Sequence, residues 1–434
     1  MPEHRPSDLS VFPPRFGGSS MNRTPTRVGG SWFVLFTLAW LGLWTVQLTP
    51  LQLLIPLQLN TPDDANGWVS GVVSSGLVLA AGGIAGVIAA PLAGGLSDRT
   101  SGRFGRRRPW ALAGVWLGTL SLAGIAFAQG PWGVGLAWVG VSVGVAVASA
   151  AFTALIADQL TTQKGAASAA VASSQALGIV VGVGVIVLLE LGVLVGYLVL
   201  AVILAVLGTL GAVLLPDPPA LAEAAAARGV RTLSERLAGL RDRDFAWLLA
   251  GRLTVNIGNA LGTGLLLFFL LYGLHRDAAA AEEELLLLIL VYTLFVVTAS
   301  IVSGRISDRT GRRIPFVVWS AVLQGLASFI LVLAPSLVSA MVAAALLGVG
   351  YGAYMSVGLA LGTDLLPFPE DHARDLGFVN TSASLGQLIG PLLGAGLVAL
   401  VGDFWLLFLV GGILSIGGGF MTLAIRSREP VSVV

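Results

Sequence analysis

Two short charged segments stand out in a chain that is otherwise poor in charge. The tetrapeptide Ser-Asp-Arg-Thr occurs at residues 97–100 and again at residues 307–310, although only 11% of all residues are charged. Carboxylates and guanidinium groups placed this close together can form charge-assisted ion pairs. A carboxylate at a helix end can also accept hydrogen bonds from the free N–H groups at the start of a neighbouring helix. The chemistry that these segments predict is therefore reversible ion pairing.

The charged side chains around both segments are predicted to form a clasp that holds one conformation and breaks in the other. We expect Asp98 and Asp308 to accept hydrogen bonds at helix N-termini, and the arginines to pair with Asp158 or Asp364. Arg252 lies within an apolar segment, where it can meet a substrate, pair with one of these acids, or extend to the membrane surface. The predicted clasp comprises Asp98, Arg99, Arg106, Asp158, Arg252, Asp308, Arg309, Arg312 and Asp364. In the alternative interpretation the arginines serve only as topology signals.

The two charged segments belong to a longer internal repeat. Three pairs of residues share one offset of 206 positions: Arg106 and Arg312, Pro109 and Pro315, Asp158 and Asp364. Asp98 and Asp308 are 210 positions apart because the first copy contains four additional residues, 101–104. A constant offset beyond one small insertion indicates two homologous halves, and the alternative is a chance match of one tetrapeptide. Internal repeats in a membrane protein are typical of secondary transporters, in which two bundles rock about a central site.

Neutral polar side chains form three stripes at helical spacing. The stripes are Arg252, Asn256, Asn259 and Thr263; Asn380, Ser384, Gln387 and Pro391; and Trp40, Trp44, Gln47 and Leu51. Such stripes are costly against lipid, so they predict a polar cavity or, alternatively, amide bonds that join helices. Amides with aromatic rings suit a neutral hydroxylated solute. The substrate-binding candidates are Trp44, Gln47, Gln175, Asn256, Asn259, Tyr351, Tyr354, Asn380 and Gln387.

The residue types that most enzymes need are scarce in this chain. Cysteine is absent, and the three histidines, His4, His275 and His372, lie outside the apolar segments. No Gly-rich segment is followed by the Gly-Lys-Ser/Thr of a phosphate-binding loop. We therefore predict no catalytic residues, no metal site, no cofactor and no nucleic-acid partner.

The elements that carry these residues are long apolar segments. The chain of 434 residues is 56% apolar and has a mean hydropathy of +0.88. A helix needs about 20 mostly apolar residues to cross a bilayer. Twelve segments meet this condition, at about 31–57, 67–95, 110–130, 132–157, 166–189, 193–215, 245–273, 284–304, 314–334, 337–361, 376–401 and 404–425. The predicted fold is an all-α polytopic membrane protein with two pseudo-symmetric bundles of six helices.

The positions of the basic residues predict the orientation and the domain boundaries. With both termini in the cytoplasm, nearly all of the 24 basic residues lie on the cytoplasmic side; Arg252 is within a helix and Arg276 lies outside. The longest polar break contains Thr232-Leu-Ser-Glu235, the spacing of a helix-capping box. The predicted domains are a disordered tail (1–30), a bundle (31–215), a cytoplasmic linker with a short surface helix (216–244), a second bundle (245–425) and a tail (426–434).

The second charged segment, Gly304-Arg-Ile-Ser-Asp308-Arg-Thr-Gly311-Arg-Arg313, closely resembles the loop signature of the major facilitator superfamily. The first copy resembles the variant found in sucrose transporters and related glycoside-pentoside-hexuronide carriers. Further patches that resemble this branch are Ala154-Leu-Ile-Ala-Asp158, Ala176-Leu-Gly178, and Asp375-Leu-Gly377 with Asn380 and Gln387. The resemblance implies a mono- or disaccharide substrate, often carried with a proton, in a cavity lined by helices 1, 4, 7 and 10. Plant sucrose carriers have an acid within helix 4 where this chain has Ser142, so proton coupling by that route is not expected.

The sequence therefore predicts a secondary transporter that moves a small neutral sugar by alternating access, without ATP. Uniport is slightly favoured over proton symport because buried acids are few; Asp158 and Glu190 are the candidates for proton coupling. The alternative is an efflux carrier for drugs or metabolites, which shares the fold and the loop signature. The expected setting is the cell membrane, with the lipid bilayer and the solute, and possible protons, as partners of a monomer.

Overall fold

Every regular element that the computed structural model describes is a helix. The structure describes residues 28–61, 67–100, 104–160, 163–217, 242–365 and 372–425, without the side chains of 157, 164, 372–380 and 383. The predicted tails, apart from residues 28–30, and the predicted surface helix of the linker lie outside these ranges. The helices are α1 (Gly30–Thr49, continued by Pro50–Leu54 and Ile55–Gln58), α2 (Trp68–Arg99), α3 (Arg108–Phe127), α4 (Gly130–Gln159), α5 (Lys164–Leu188), α6 (Val193–Leu214), α7 (Arg243–Gly264, continued by Leu266–Phe268 and Phe269–Gly273), α8 (Ala278–Thr310), α9 (Arg313–Leu333), α10 (Leu337–Asp364), α11 (His372–Val401) and α12 (Trp405–Met421).

The predicted twelve spans are confirmed. Among the described residues, eleven helices are long and apolar enough to cross a membrane, and α7 brings the number to twelve when its two parts, bent by 41° at Leu265, are counted as one span. Helices satisfy the backbone N–H and C=O groups within one segment, which the hydrocarbon core of a bilayer requires. Several spans extend beyond their predicted ends; in particular, α2 continues to Arg99 and α8 covers Ala278–Thr310. Asp98 and Asp308 therefore lie in the last helical turn rather than after it.

The helices pack in the same order in both halves of the chain. In the first half α2 and α3 each pack on α4, α3 packs on α6, and α1 packs on α5 and α6. The second half repeats these neighbours with α8, α9, α10, α12, α7 and α11 in the corresponding places. Gly105 and Gly311, 206 positions apart, both adopt positive φ at the turn into the third helix of their half. The two six-helix bundles therefore have matching topology.

The two bundles meet mainly along two pairs of helices, α2 with α11 and α5 with α8. We call the end with the α2–α3 and α8–α9 connections the basic end, and the other the opposite end. Gly76 of α2 lies so close to α11 that a Cβ atom would be 3.0 Å from the Pro391 carbonyl oxygen. At the opposite end the ring of Trp68 stacks on Tyr272 and Phe404, with centroid distances of 4.7 and 5.3 Å. These contacts between the bundles join them at the opposite end and along the middle of α2.

Both α1 and α7 contain a π-helical turn near the opposite end. The turns cover Pro50–Leu54 and Phe269–Gly273. Pro50 lacks a backbone N–H group, which accounts for irregular hydrogen bonding in α1, whereas the turn of α7 contains no proline. The turns thus mark corresponding irregular points in the two bundles.

Candidate functional site

The first copy of the charged clasp is a compact set of ion pairs at the basic end. Arg107 Nη2 lies 2.6 Å from Asp98 Oδ1, and its Nε lies 3.0 Å from Asp158 Oδ2. Arg106 Nη2 lies 2.8 Å from Asp158 Oδ1. Arg107 is buried and also donates to Ser97 Oγ at 2.6 Å. Arg107 therefore connects the ends of α2, α3 and α4, a role that the sequence did not distinguish from that of its neighbours in a run of three arginines.

The carboxylate that caps the N-terminus of α3 comes from a different part of the chain than predicted. Asp217 Oδ2 accepts hydrogen bonds from the backbone N–H groups of Arg107 and Arg108, both at 2.7 Å. Asp98 was expected to fill this role, but its carboxylate binds the Arg107 guanidinium instead. Gly105, with φ of 92°, lies directly against the Asp217 carboxylate and leaves no space for a side chain.

The second copy of the clasp is sparser. Arg313 Nε lies 3.0 Å from Asp364 Oδ2. Arg312, which the predicted clasp includes, is exposed at the N-cap of α9, and its neighbour Arg313, which the predicted set did not include, makes the ion pair. The reason is helical geometry: Arg313 is the first residue within α9, and its side chain points toward α10. Asp308, Arg309 and, in the first half, Arg99 are exposed, and Asp308 makes no ion pair within the described ranges.

The polar stripe of α7 meets tyrosines of α8 and α10. The Tyr351 hydroxyl donates to Asn256 Oδ1 at 3.2 Å, and Asn259 Nδ2 donates to the Tyr292 hydroxyl at 3.3 Å. The rings of Tyr292 and Tyr351 are stacked, with centroids 6.4 Å apart. Gln387 of α11 lies close enough to Tyr351 to interact with its hydroxyl group. We call these five side chains the amide–tyrosine cluster.

Tyr292 was not among the sequence candidates. It lies in a leucine-rich segment without polar neighbours at helical spacing. Its position near the middle of that segment was therefore the one signal in the sequence that could have indicated a role in binding. Gly348 of α10 allows the close approach of α8, since a Cβ atom there would lie 2.6 Å from the Tyr292 carbonyl oxygen. This contact places the Tyr292 ring beside Tyr351.

Arg252 of α7 and Tyr354 of α10 lie beside the cluster, on the side of the basic end. Arg252 is only 2% exposed, its Nη2 lies 3.8 Å from Met355 Sδ, and a Cβ atom at Gly358 would lie 3.5 Å from its Nη1. The alternative that Arg252 extends to the membrane surface is therefore excluded. Tyr354 is buried beside it, close enough for the two groups to interact electrostatically.

The substrate-binding candidates in the first half of the chain do not form a comparable hydrogen-bonded cluster within the described residues. Trp44 ends a ladder of rings along α1, Trp32, Phe36, Trp40 and Trp44, with successive centroids 4.7 to 6.2 Å apart. The indole Nε1 atoms of Trp40 and Trp44 are buried and find no hydrogen-bond partner among the described residues. Gln47 and Gln175 are half-buried.

Three other predicted positions lie apart from this ladder. Ser142 is buried, and its hydroxyl group lies close to Gly82 of α2, beside Trp138. Glu190 is exposed in the turn between α5 and α6, at the opposite end. The side chain of Asn380 lies outside those that the structure describes.

Within the described ranges, no group of three or more histidine, aspartate or glutamate residues is arranged to hold a metal ion. The candidate functional features in the described residues are thus the amide–tyrosine cluster, the aromatic ladder and the two copies of the clasp.

Comparison with known proteins identifies the family to which this chain belongs. The model of the Major Facilitator Superfamily matches residues 32–281 and 253–433. A triacylglyceride transporter of Mycobacteroides abscessus is 35% identical over 127 residues, which are 29% of this chain and 24% of that protein. The multidrug transporter mfsC of Aspergillus fumigatus is 27% identical over 130 residues, 29% of this chain and 25% of that protein. The matched segment spans about a quarter of each of these relatives.

Among solved structures, a point mutant of the nucleoside transporter NupG has a TM-score of 0.70 at 14% identity, covering 92% of this chain and 99% of that one. At this level of identity the likeness concerns the fold.

Proposed function

Because the chain belongs to the Major Facilitator Superfamily, we propose that this transporter carries a small neutral sugar, a mono- or disaccharide such as sucrose or maltose, by alternating access. The observation that carries the proposal is the amide–tyrosine cluster. Its amide and phenol groups are neutral, and together they offer both donors and acceptors to hydroxyl groups. The tyrosine rings add apolar faces for the C–H groups of a sugar.

The contacts between the two bundles support the assignment of this conformation to one state of the transport cycle. The bundles are joined at the opposite end by Trp68, Tyr272 and Phe404, whereas Asp308 and Arg309 at the basic end are exposed. With the basic end in the cytoplasm, as the distribution of arginines predicts, this conformation faces the cytoplasm. The protein works in this proposal as a monomer in the cell membrane.

Uniport fits the described residues better than proton symport. Asp158, one of the two acids considered for proton coupling, is held by Arg106 and Arg107. Glu190, the other, is exposed at the opposite end, apart from the cluster. Neither acid contacts the cluster, so binding of the solute and release of a proton have no direct connection.

The test is uptake of labelled sucrose, maltose and glucose into proteoliposomes, with and without a pH gradient. We expect uptake of at least one sugar that equilibrates without a gradient and falls severalfold in Tyr351→Phe. The matched control is Leu120→Ala, at an exposed position away from the cluster. Absence of uptake and of competition by any sugar would contradict the sugar assignment, and accumulation driven by a pH gradient would contradict uniport.

A second candidate function is efflux of apolar compounds. Trp44, the half-buried end of the aromatic ladder of α1, offers a ring to such a compound, whereas the other three rings are buried in the core. The partial relatives include a multidrug transporter and a triacylglyceride transporter. The same vesicles loaded with a fluorescent lipophilic cation distinguish the two functions: extrusion of the cation without sugar uptake would favour efflux.

A further inference from the structure

The amide–tyrosine cluster has two layers. Asn256 and Asn259 are 1% and 6% exposed, whereas Tyr292 and Tyr351 are half-buried and Gln387 is exposed. The tyrosine and glutamine side chains thus form the accessible part of the cluster, whereas the two asparagines are covered. The sequence, in contrast, places both asparagines among the binding residues and does not single out Tyr292.

The directions of the hydrogen bonds determine what each tyrosine still offers. Asn259 donates to the Tyr292 oxygen, so the Tyr292 hydroxyl hydrogen is left to point elsewhere. Tyr351 donates its hydrogen to Asn256, so its oxygen can only accept, from the neighbouring Gln387 amide and from one further donor. Asn256 Nδ2 is itself held by the Arg252 carbonyl oxygen at 2.7 Å, which fixes the orientation of the amide. The stacked pair therefore presents one donor and one acceptor.

We propose that Tyr292 and Tyr351 contact the substrate and that Asn256 and Asn259 are positioning residues that set the direction of the two hydroxyl groups. A substrate hydroxyl matches the pair because it can accept from Tyr292 and donate to Tyr351. This inference rests on the proposed sugar transport and narrows it to solutes that place a hydroxyl at the tyrosine pair. A solute with only acceptor groups at that position leaves Tyr351 without a donor.

The layering is tested first without any substrate. The chain has no cysteine, so single cysteines can be introduced without background. We expect Tyr292→Cys and Gln387→Cys to react with a small charged methanethiosulfonate reagent in the purified protein at least tenfold faster than Asn256→Cys and Asn259→Cys. Equal reaction rates would overturn the two-layer arrangement, whether or not the protein carries sugar.

The positioning role is tested by a double-mutant cycle on uptake of the sugar that the wild-type protein carries. Loss of one neutral hydrogen bond costs about three- to tenfold in the ratio of maximal rate to KM. We expect Tyr292→Phe and Asn259→Ala each to cause such a loss, and the double variant to be no worse than the more severe single variant. Losses that multiply would show that Asn259 acts independently of Tyr292 and would overturn the inference. If the wild-type vesicles take up no sugar, the proposed function fails, and the cysteine reactivities alone decide the layering.

A second inference comes from the opposite end of the molecule. Trp68 of the first bundle stacks on Tyr272 and Phe404 of the second, and the Tyr272 hydroxyl donates to Asn60 Oδ1 at 2.5 Å. Tyr272 belongs to the π-helical turn of α7, and Asn60 follows the last turn of α1. Stacked rings and a hydrogen bond between the bundles are thus placed beside the irregular segments of both helices.

The structure assigns to Trp68, Tyr272 and Phe404 the role of a seal that must separate when the opposite end opens. Spin labels at Leu189→Cys and Ala278→Cys, exposed positions of the two bundles at this end, report the separation by pulsed electron–electron distance measurements. We expect Trp68→Ala to add a population with a longer distance and Tyr272→Phe, which keeps the stack, to add a smaller one. Trp132→Ala is the matched control because Trp132 lies at the same end and is 93% exposed. Distance distributions that are the same in all three variants would overturn the role of the seal.

Discussion

The two copies of the clasp occupy equivalent positions in the repeat but differ in how firmly they are built. In the first copy Arg107 bridges Asp98 and Asp158, and Asp217 holds the start of α3. In the second copy Arg313 pairs with Asp364 alone, and Gly311, the counterpart of Gly105, has open space around it. The repeat thus preserves one ion pair per half, while the additional contacts come from Asp217 at the start of the linker.

The difference indicates that the first bundle and the start of the linker behave as one unit. Arg108 strengthens this connection, because its guanidinium donates to the Ala212 and Leu215 carbonyl oxygens at the end of α6. A buried guanidinium between two carboxylates depends on its partners far more than an exposed ion pair does. Substitutions at matching positions of the two halves should therefore have unequal effects.

The largest effect is expected for Arg107→Gln. The substitution leaves Asp98 and Asp158 close together without their shared cation, and we expect a loss of about 2 kcal/mol in the free energy of unfolding. Thermal unfolding of the purified protein, followed by tryptophan fluorescence, measures the change. Equal decreases in melting temperature for Arg107→Gln and Arg313→Gln would contradict the expected difference between the two copies of the clasp.

A smaller loss of about 1 kcal/mol is expected for Asp217→Ala, because two backbone N–H groups at the start of α3 lose their acceptor. The same thermal measurement applies, with Asp217→Asn as a control that keeps a side-chain acceptor and should recover part of the loss. An unchanged melting temperature in Asp217→Ala would contradict the connection between linker and bundle.

Arg313→Gln is expected to cost less than about 1 kcal/mol, since its pair with Asp364 is largely exposed. Raising the salt concentration should reduce the difference between this variant and the parent protein. A loss as large as that of Arg107→Gln would show that the second copy is stabilised as strongly as the first.

The smallest effect on stability is expected for Asp308→Asn, within about 0.5 kcal/mol, because this exposed carboxylate makes no ion pair in the described part of the chain. Transport should nevertheless fall, since the clasp hypothesis requires Asp308 in the alternate conformation. Uptake in proteoliposomes, normalised to the amount of folded protein, measures this. Unchanged uptake would refute the role of Asp308 in the clasp.

Some features of the structure follow from the sequence, and others do not. The spans follow from apolar length alone, and the pairing of the two acids Asp158 and Asp364 with arginines follows from the repeat. The choice of Arg107 and Arg313 over their neighbours does not, because adjacent residues in a run of arginines differ only in the direction that the helix gives them. The contact of Asp217 with the start of α3 could not be predicted either, since nothing in Pro-Asp-Pro-Pro indicates contact with a loop more than a hundred residues earlier.

By itself, the sequence determined the twelve helices, their division into two bundles and the predicted orientation, because each depends on composition over whole segments and on the free energy of placing backbone and charge in lipid. Only the tertiary structure decided which polar side chains of the cluster are accessible and which are covered by their neighbours. Asn256 and Asn259 share a stripe with the correct spacing, yet their exposure depends on Tyr292 and Tyr351, which arrive from α8 and α10. Side-chain burial depends on how neighbouring helices pack, and that information is distributed over several helices rather than written in any one of them.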